Sequence, residues 1–202
     1  MPNSRLYAAM GAQLTKLSEH YMDFARDPLG NYDDRQLSAG AAYTIFAHAE
    51  IENFLESWAG RFVDRAEARW KIGRASRVLL HLISFIEAQA VPSEIPLKDI
   101  WKAPGFVALS RHRHLIEKNH GIAEKFICKL FAPIGFDLRG IDPILIGDMN
   151  AFAQIRGQHA LKSYKVHLGQ SFDPFDRQAK VAKIFTLLAD LDGQLLAYLT
   201  LN

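Results

Sequence analysis

Arg156 and His159 are the pair whose types and spacing suggest chemistry. They lie in Asn150-Ala-Phe-Ala-Gln-Ile-Arg-Gly-Gln-His-Ala-Leu-Lys-Ser-Tyr164, three residues apart, so a helix places them on one face. An imidazole moves protons near pH 7, and a guanidinium grips a phosphate with two parallel N–H groups. Together they make a minimal kit for phosphodiester chemistry. The plainer reading is that both are polar residues at a helix end, where cations meet the negative end of the macrodipole.

Other chemical groups are dispersed. His48, Glu52 and Glu56 recur at four-residue steps in Phe46-Ala-His-Ala-Glu-Ile-Glu-Asn-Phe-Leu-Glu56. Glu52 flanks an apolar stripe, where it orients an Arg or a His from a facing helix or merely edges the stripe in solvent. Arg111, His112, Arg113, His114, Lys118 and Lys125 form a dense basic run, read as an RNA-facing patch on Arg111, Arg113 and Lys118 or as a solvated face. Histidines 112 and 114 point apart on a helix, and no cysteine or carboxylate stands at ligand spacing beside them, so no metal and no cofactor are expected. A second basic cluster, Arg61, Arg65, Arg69, Lys71, Arg74 and Arg77, is diluted by Asp64 and Glu67. It reads as surface charge able to touch RNA backbone.

The elements that must position these groups are helical. Leu6, Met10, Leu14, Leu17, Tyr21 and Phe24 predict a helix over 4–26, stopped by Asp27-Pro28. Ile51, Phe54, Leu55, Trp58 and Phe62 stripe a longer helix over roughly 36–70. Residues 75–90 form a third, broken by Val91-Pro-Ser-Glu-Ile-Pro96, and two short helices follow over 106–118 and 121–132. Asp142-Pro143 and Asp173-Pro174 each open a helix with an Asp cap and Pro at the first position. The first carries Arg156 and His159; the second runs over 174–200. With no strand-like alternation, the expected fold is an all-α antiparallel helical bundle with short extra helices. The whole of 1–202 reads as one domain, its core roughly 36–200 and the 4–26 helix packed on it.

Composition narrows the setting. A formal charge of +2 gives no global pull toward nucleic acid or lipid, so any such binding is local. The single cysteine, Cys128, excludes an intrachain disulfide and fits a reducing cytosol. No basic stretch followed by an apolar run opens the chain, and no uninterrupted apolar run approaches about 18 residues. The expected setting is the cytoplasm, with no membrane partner.

Three segments, in chain order, resemble the HEPN superfamily, especially its RiboL-PSP-HEPN-like branch. They are His48-Ala-Glu-Ile-Glu-Asn-Phe-Leu-Glu56, Asn119-His-Gly-Ile-Ala-Glu-Lys-Phe126 with Pro133-Ile-Gly135, and Arg156-Gly-Gln-His-Ala160. The resemblance covers roughly 36–200. It implies an all-α bundle that forms a homodimer and acts on RNA, in toxin–antitoxin, antiphage or RNA-processing systems, with an antitoxin or other partner protein. It further implies a metal-independent endoribonuclease: the ribose 2′-OH attacks the adjacent phosphate, a His transfers protons and an Arg steadies the charged transition state. Arg156 and His159 are then the catalytic candidates and Glu52 their supporting carboxylate. Aligned on Arg156, however, the family histidine falls at Leu161. The alternative is a non-catalytic HEPN-like binding or dimerisation module.

Overall fold

A computed structural model describes residues 3–85, 103–161 and 172–201, with the side chains of 158–161 outside the description. The fold is an all-α helical bundle, and no strand occurs among the described residues. The helices are α1 (Arg5–Tyr21), α2 (Asp34–Lys71), α3 (Arg77–Ser84), α4 (Ala103–Glu117), α5 (Glu124–Phe131), α6 (Pro143–Leu161) and α7 (Pro174–Leu201), with a 3-10 turn at Leu138–Gly140. The chain forms two compact units, whose boundaries fall within α2 after Phe54 and within α7 after Gln194.

The first unit comprises Met1–Phe54, Gly121–Glu124 and Ile141–Gln194. Its buried side chains are Tyr7, Met10 and Leu14 of α1, Ala47, Ile51 and Phe54 of α2, Leu145, Met149 and Phe152 of α6, and Val181, Ile184, Leu188 and Leu191 of α7. Tyr7 stacks on Phe185 at 4.5 Å between ring centroids and meets Phe54 edge-on at 6.4 Å. Ser4 caps α1 by accepting the Tyr7 N–H on its hydroxyl. The apolar period predicts a helix as far as residue 26, yet α1 ends at Tyr21. Tertiary partners draw the next residues off the helix: Phe24 meets Phe175 edge-on, and Arg26 bonds Asp173 and Asp176.

Both Asp-Pro helix starts occur as the sequence predicts. Asp142 accepts the Ile144 N–H at 2.7 Å, and Asp173 accepts the Phe175 N–H at 2.8 Å. One difference concerns hydropathy. α7 is long and apolar enough to cross a membrane by length and composition, although charges interrupt every apolar run. It nevertheless carries a buried aspartate, Asp192, that accepts two hydrogen bonds from Ser4.

The second unit comprises Leu55–His120, Lys125–Gly140 and Leu195–Asn202. Trp58, Phe62, Leu79, Leu109, Ile127, Leu130, Phe131 and Ile134 form its fully buried core, and α3 packs on α4. α2 ends in a Schellman turn: Gly73, at φ +77°, donates to the Trp70 carbonyl, and Arg74 N–H reaches the Arg69 carbonyl. The predicted third helix, 75–90, is shorter: α3 ends at Ser84 with Phe85 as its C-cap, and 86–102 lie outside the described residues. Gly135 closes the turn after α5 at φ +78°, with its α-carbon against the His81 ring. Gly135→Ala therefore combines left-handed backbone strain with a clash. It should lower stability by about 2 kcal/mol, read as a shifted urea midpoint with an unchanged slope.

Candidate functional site

The stretch that bears Arg156 belongs to α6, which runs unbroken through Gly157 to Leu161. That continuity fixes the register. Position 159 lies about 60° round the helix from Arg156, and position 161 about 140°. Arg156 and His159 therefore share a face and Leu161 leaves it. The side chains of His159 and Leu161 lie outside the described residues, as do Ser163 and Tyr164.

Within the first unit, α2 brings a second imidazole to Arg156. His48 is 1% exposed, and its ring lies 6.0 Å from that of Phe152, one turn before Arg156 on α6. Burial and, secondarily, the positive charge of Arg156 lower the His48 pKa to about 4. The His48 Nδ1 is 3.6 Å from a Glu52 carboxylate oxygen, too far for a hydrogen bond, and has no hydrogen-bond partner among the described residues. The buried Nε of Arg156 has none either.

This geometry decides what each group can do. With a pKa near 4, roughly one His48 in a thousand carries a proton at pH 7, so His48 is no general acid. Arg156 supplies the positive charge, on a face shared with position 159. The arrangement suits the holding of an anion. Sequence reasoning treated His48 only as a neighbour of Glu52. The missing signal was the Arg156 charge on a facing helix, which four-residue spacing along α2 does not reveal.

Glu52, expected to support Arg156 and His159, lies beside His48 on α2 with its side chain 14% exposed. Asn150, which begins the same stretch, accepts the Glu124 N–H at 2.9 Å and so caps α5. A cleft of about 560 Å³, lined by Leu14, Tyr43, Phe175 and Phe185 among others, includes none of the candidate residues.

The residues expected to face RNA, Arg111, Arg113 and Lys118, belong to the second unit, and each stands in different surroundings. Arg113 bonds Asp64 at 2.8 Å and also Glu67, so its charge is engaged by two carboxylates. Arg111 lines a small cleft with Leu82, Phe85 and His112, and Lys118 is exposed. His112 is buried and His114 exposed, as the helical register requires. Among the described residues, no three His, Cys, Asp or Glu side chains gather as a metal site would need. Asn119, from the central motif, donates its amide to Glu56 at 2.9 Å.

Comparison with known protein families, curated proteins and solved structures finds no match to this chain.

Proposed function

We propose that this chain is a HEPN-like, RNA-directed protein of the cytoplasm, and in its most specific form a metal-independent endoribonuclease of a toxin or antiphage system. One observation carries the reading. The helix bearing Arg156 and His159 presents a half-buried guanidinium with an unpartnered Nε among the described residues, and its charge acts on a buried His48. Such a group is suited to a phosphate, and unbroken α6 sets position 159 on the same face for proton transfer. Two copies would bring two such faces together as a homodimer.

Leu161 favours a second reading, a non-catalytic binding or dimerisation module. That position cannot transfer a proton. The test incubates purified protein with total RNA in EDTA, beside an Arg156→Ala/His159→Ala double variant. The nuclease reading expects cleavage to ends bearing a 2′,3′-cyclic phosphate, reduced at least about 100-fold in the variant. Such ends, dependent on His159, would eliminate the module. Wild type that cleaves no RNA and leaves growth unaffected on expression would eliminate the nuclease.

A further inference from the structure

We propose that the C-terminal half of α2 and the turn after it form a ridge that docks a single-stranded RNA backbone on Arg61, Arg65 and Arg74, with Arg69 in the same row. The choice of RNA rests on the RNA-directed reading above; the ridge itself rests on different residues.

Spacing is the first argument. Residues 61, 65 and 69 are successive four-residue steps, each rising about 6 Å and turning only about 40° around the helix. They form one row along a straight edge. Arg61, Arg65 and Arg74 are all exposed. The Arg61 guanidinium lies 5.6 Å from the centre of the Trp58 ring, so stacking steadies the fork while its N–H edge can still donate.

The second argument is what has been removed from around the row. The segment 61–77 contains two carboxylates, Asp64 and Glu67. Arg113, reaching from α4, bonds both, and Lys71 pairs with Glu67 at 2.9 Å. The acids that dilute this cluster in the sequence are thus neutralised from the side. Among the described residues Arg61, Arg65 and Arg74 have no carboxylate partner. Like charges at four-residue spacing destabilise a helix by a few tenths of a kcal/mol per pair. The macrodipole relieves cations only in the last turn, where Arg69 and Lys71 stand. Arg61 and Arg65 lie farther upstream, so helix stability does not account for them.

Several singly charged, bidentate donors, two a helical turn apart and a third on the turn after the helix, suit a polymer of phosphodiesters better than one free phosphate, which a single arginine would hold. An anionic bilayer is the competing polyanion. Interfacial helices place a broad face of large apolar side chains beside their cations, whereas between Arg61 and Arg74 the exposed residues are Asp64, Arg65, Ala68, Lys71, Gly73 and a single large apolar side chain, Ile72.

The test uses a fluorescent single-stranded 2′-O-methyl oligonucleotide, which lacks the 2′-OH needed for cleavage. Anisotropy is read for the full chain, an Arg61→Gln/Arg65→Gln/Arg74→Gln variant and Arg156→Ala, between about 50 and 200 mM salt. The ridge variant should bind at least 10-fold more weakly, with its log–log salt slope flatter by about 2, since each single-strand phosphate contact contributes about 0.7. Its thermal midpoint should fall by no more than about 4 °C, because the three side chains are exposed and loss of the Arg61–Trp58 contact costs little. Unchanged affinity and slope in the variant would overturn the ridge. So would wild type that binds phosphatidylserine vesicles but not the oligonucleotide. Loss of oligonucleotide binding in the ridge variant, alongside wild type that cleaves no RNA and leaves growth unaffected on expression, leaves the ridge standing and removes the nuclease. Loss in Arg156→Ala alone does the reverse.

Discussion

Asp192→Ala should cost this protein about 3 kcal/mol of stability, among the largest losses from any single polar substitution. Asp192 is fully buried on α7, and both oxygens of its carboxylate serve Ser4: the backbone N–H at 2.7 Å and the hydroxyl at 2.6 Å. Ser4 is itself the N-cap of α1, so one aspartate fixes the start of a helix 188 residues away in the chain. Alanine would leave two buried donors without an acceptor and loosen the cap. Hydrogen bonds to a charged group contribute about 1.5–3 kcal/mol each, offset in part by relief of the buried charge. Asp192→Asn keeps one acceptor and should lose less. A Ser4→Ala/Asp192→Ala double-mutant cycle read by urea unfolding should give a coupling of at least about 1.5 kcal/mol. Additive single losses, or an Asp192→Ala change within about 0.5 kcal/mol, would contradict this account.

That interaction shows where the sequence was legible and where it was not. The helices were readable because each buries one stripe at 3.6-residue spacing, and because Asp142-Pro143 and Asp173-Pro174 are local signals that act through their own backbone. The Ser4–Asp192 pair carries no such local signal. A lone Asp between Leu191 and Gly193 looks like an interruption of the α7 stripe until α1 lies against it. The same limit applied at the candidate site. Arg156 was visible from its spacing to His159, but its effect on His48 depends on α2 facing α6. The ion pairs of Arg113 were hidden for the same reason: it belongs to a basic run in sequence, and in the fold it bonds Asp64 and Glu67 of α2. Local chemistry is written in order along the chain, whereas charge pairing is decided by which helix comes alongside.

Acid should destabilise this protein between about pH 6.5 and pH 4, and two buried histidines should carry much of the loss. Burial, and then the charge of Arg156, holds His48 at a pKa of about 4; burial does the same for His112, opposed by a backbone hydrogen bond at Leu130. In the unfolded chain both return to about 6.5. Below that value the unfolded state binds protons that the folded state refuses, so stability falls as pH drops and the decline from these groups ends near pH 4. Above about pH 7.5 both are almost wholly neutral in either state and contribute little slope. A shift of this size corresponds to up to about 3 kcal/mol for each histidine, with solvent relaxation reducing it. Urea unfolding at pH 7, 6, 5 and 4 should show the decline in wild type and a shallower one in His48→Gln/His112→Gln. The double variant need not gain stability at pH 7, since glutamine must still find partners in both buried positions; the slope with pH is the diagnostic quantity. An identical slope in wild type and variant would mean that both imidazoles accept protons inside the folded protein. His48 would then take up a proton beside the Arg156 charge, and the neutral imidazole assigned to the candidate site would be wrong.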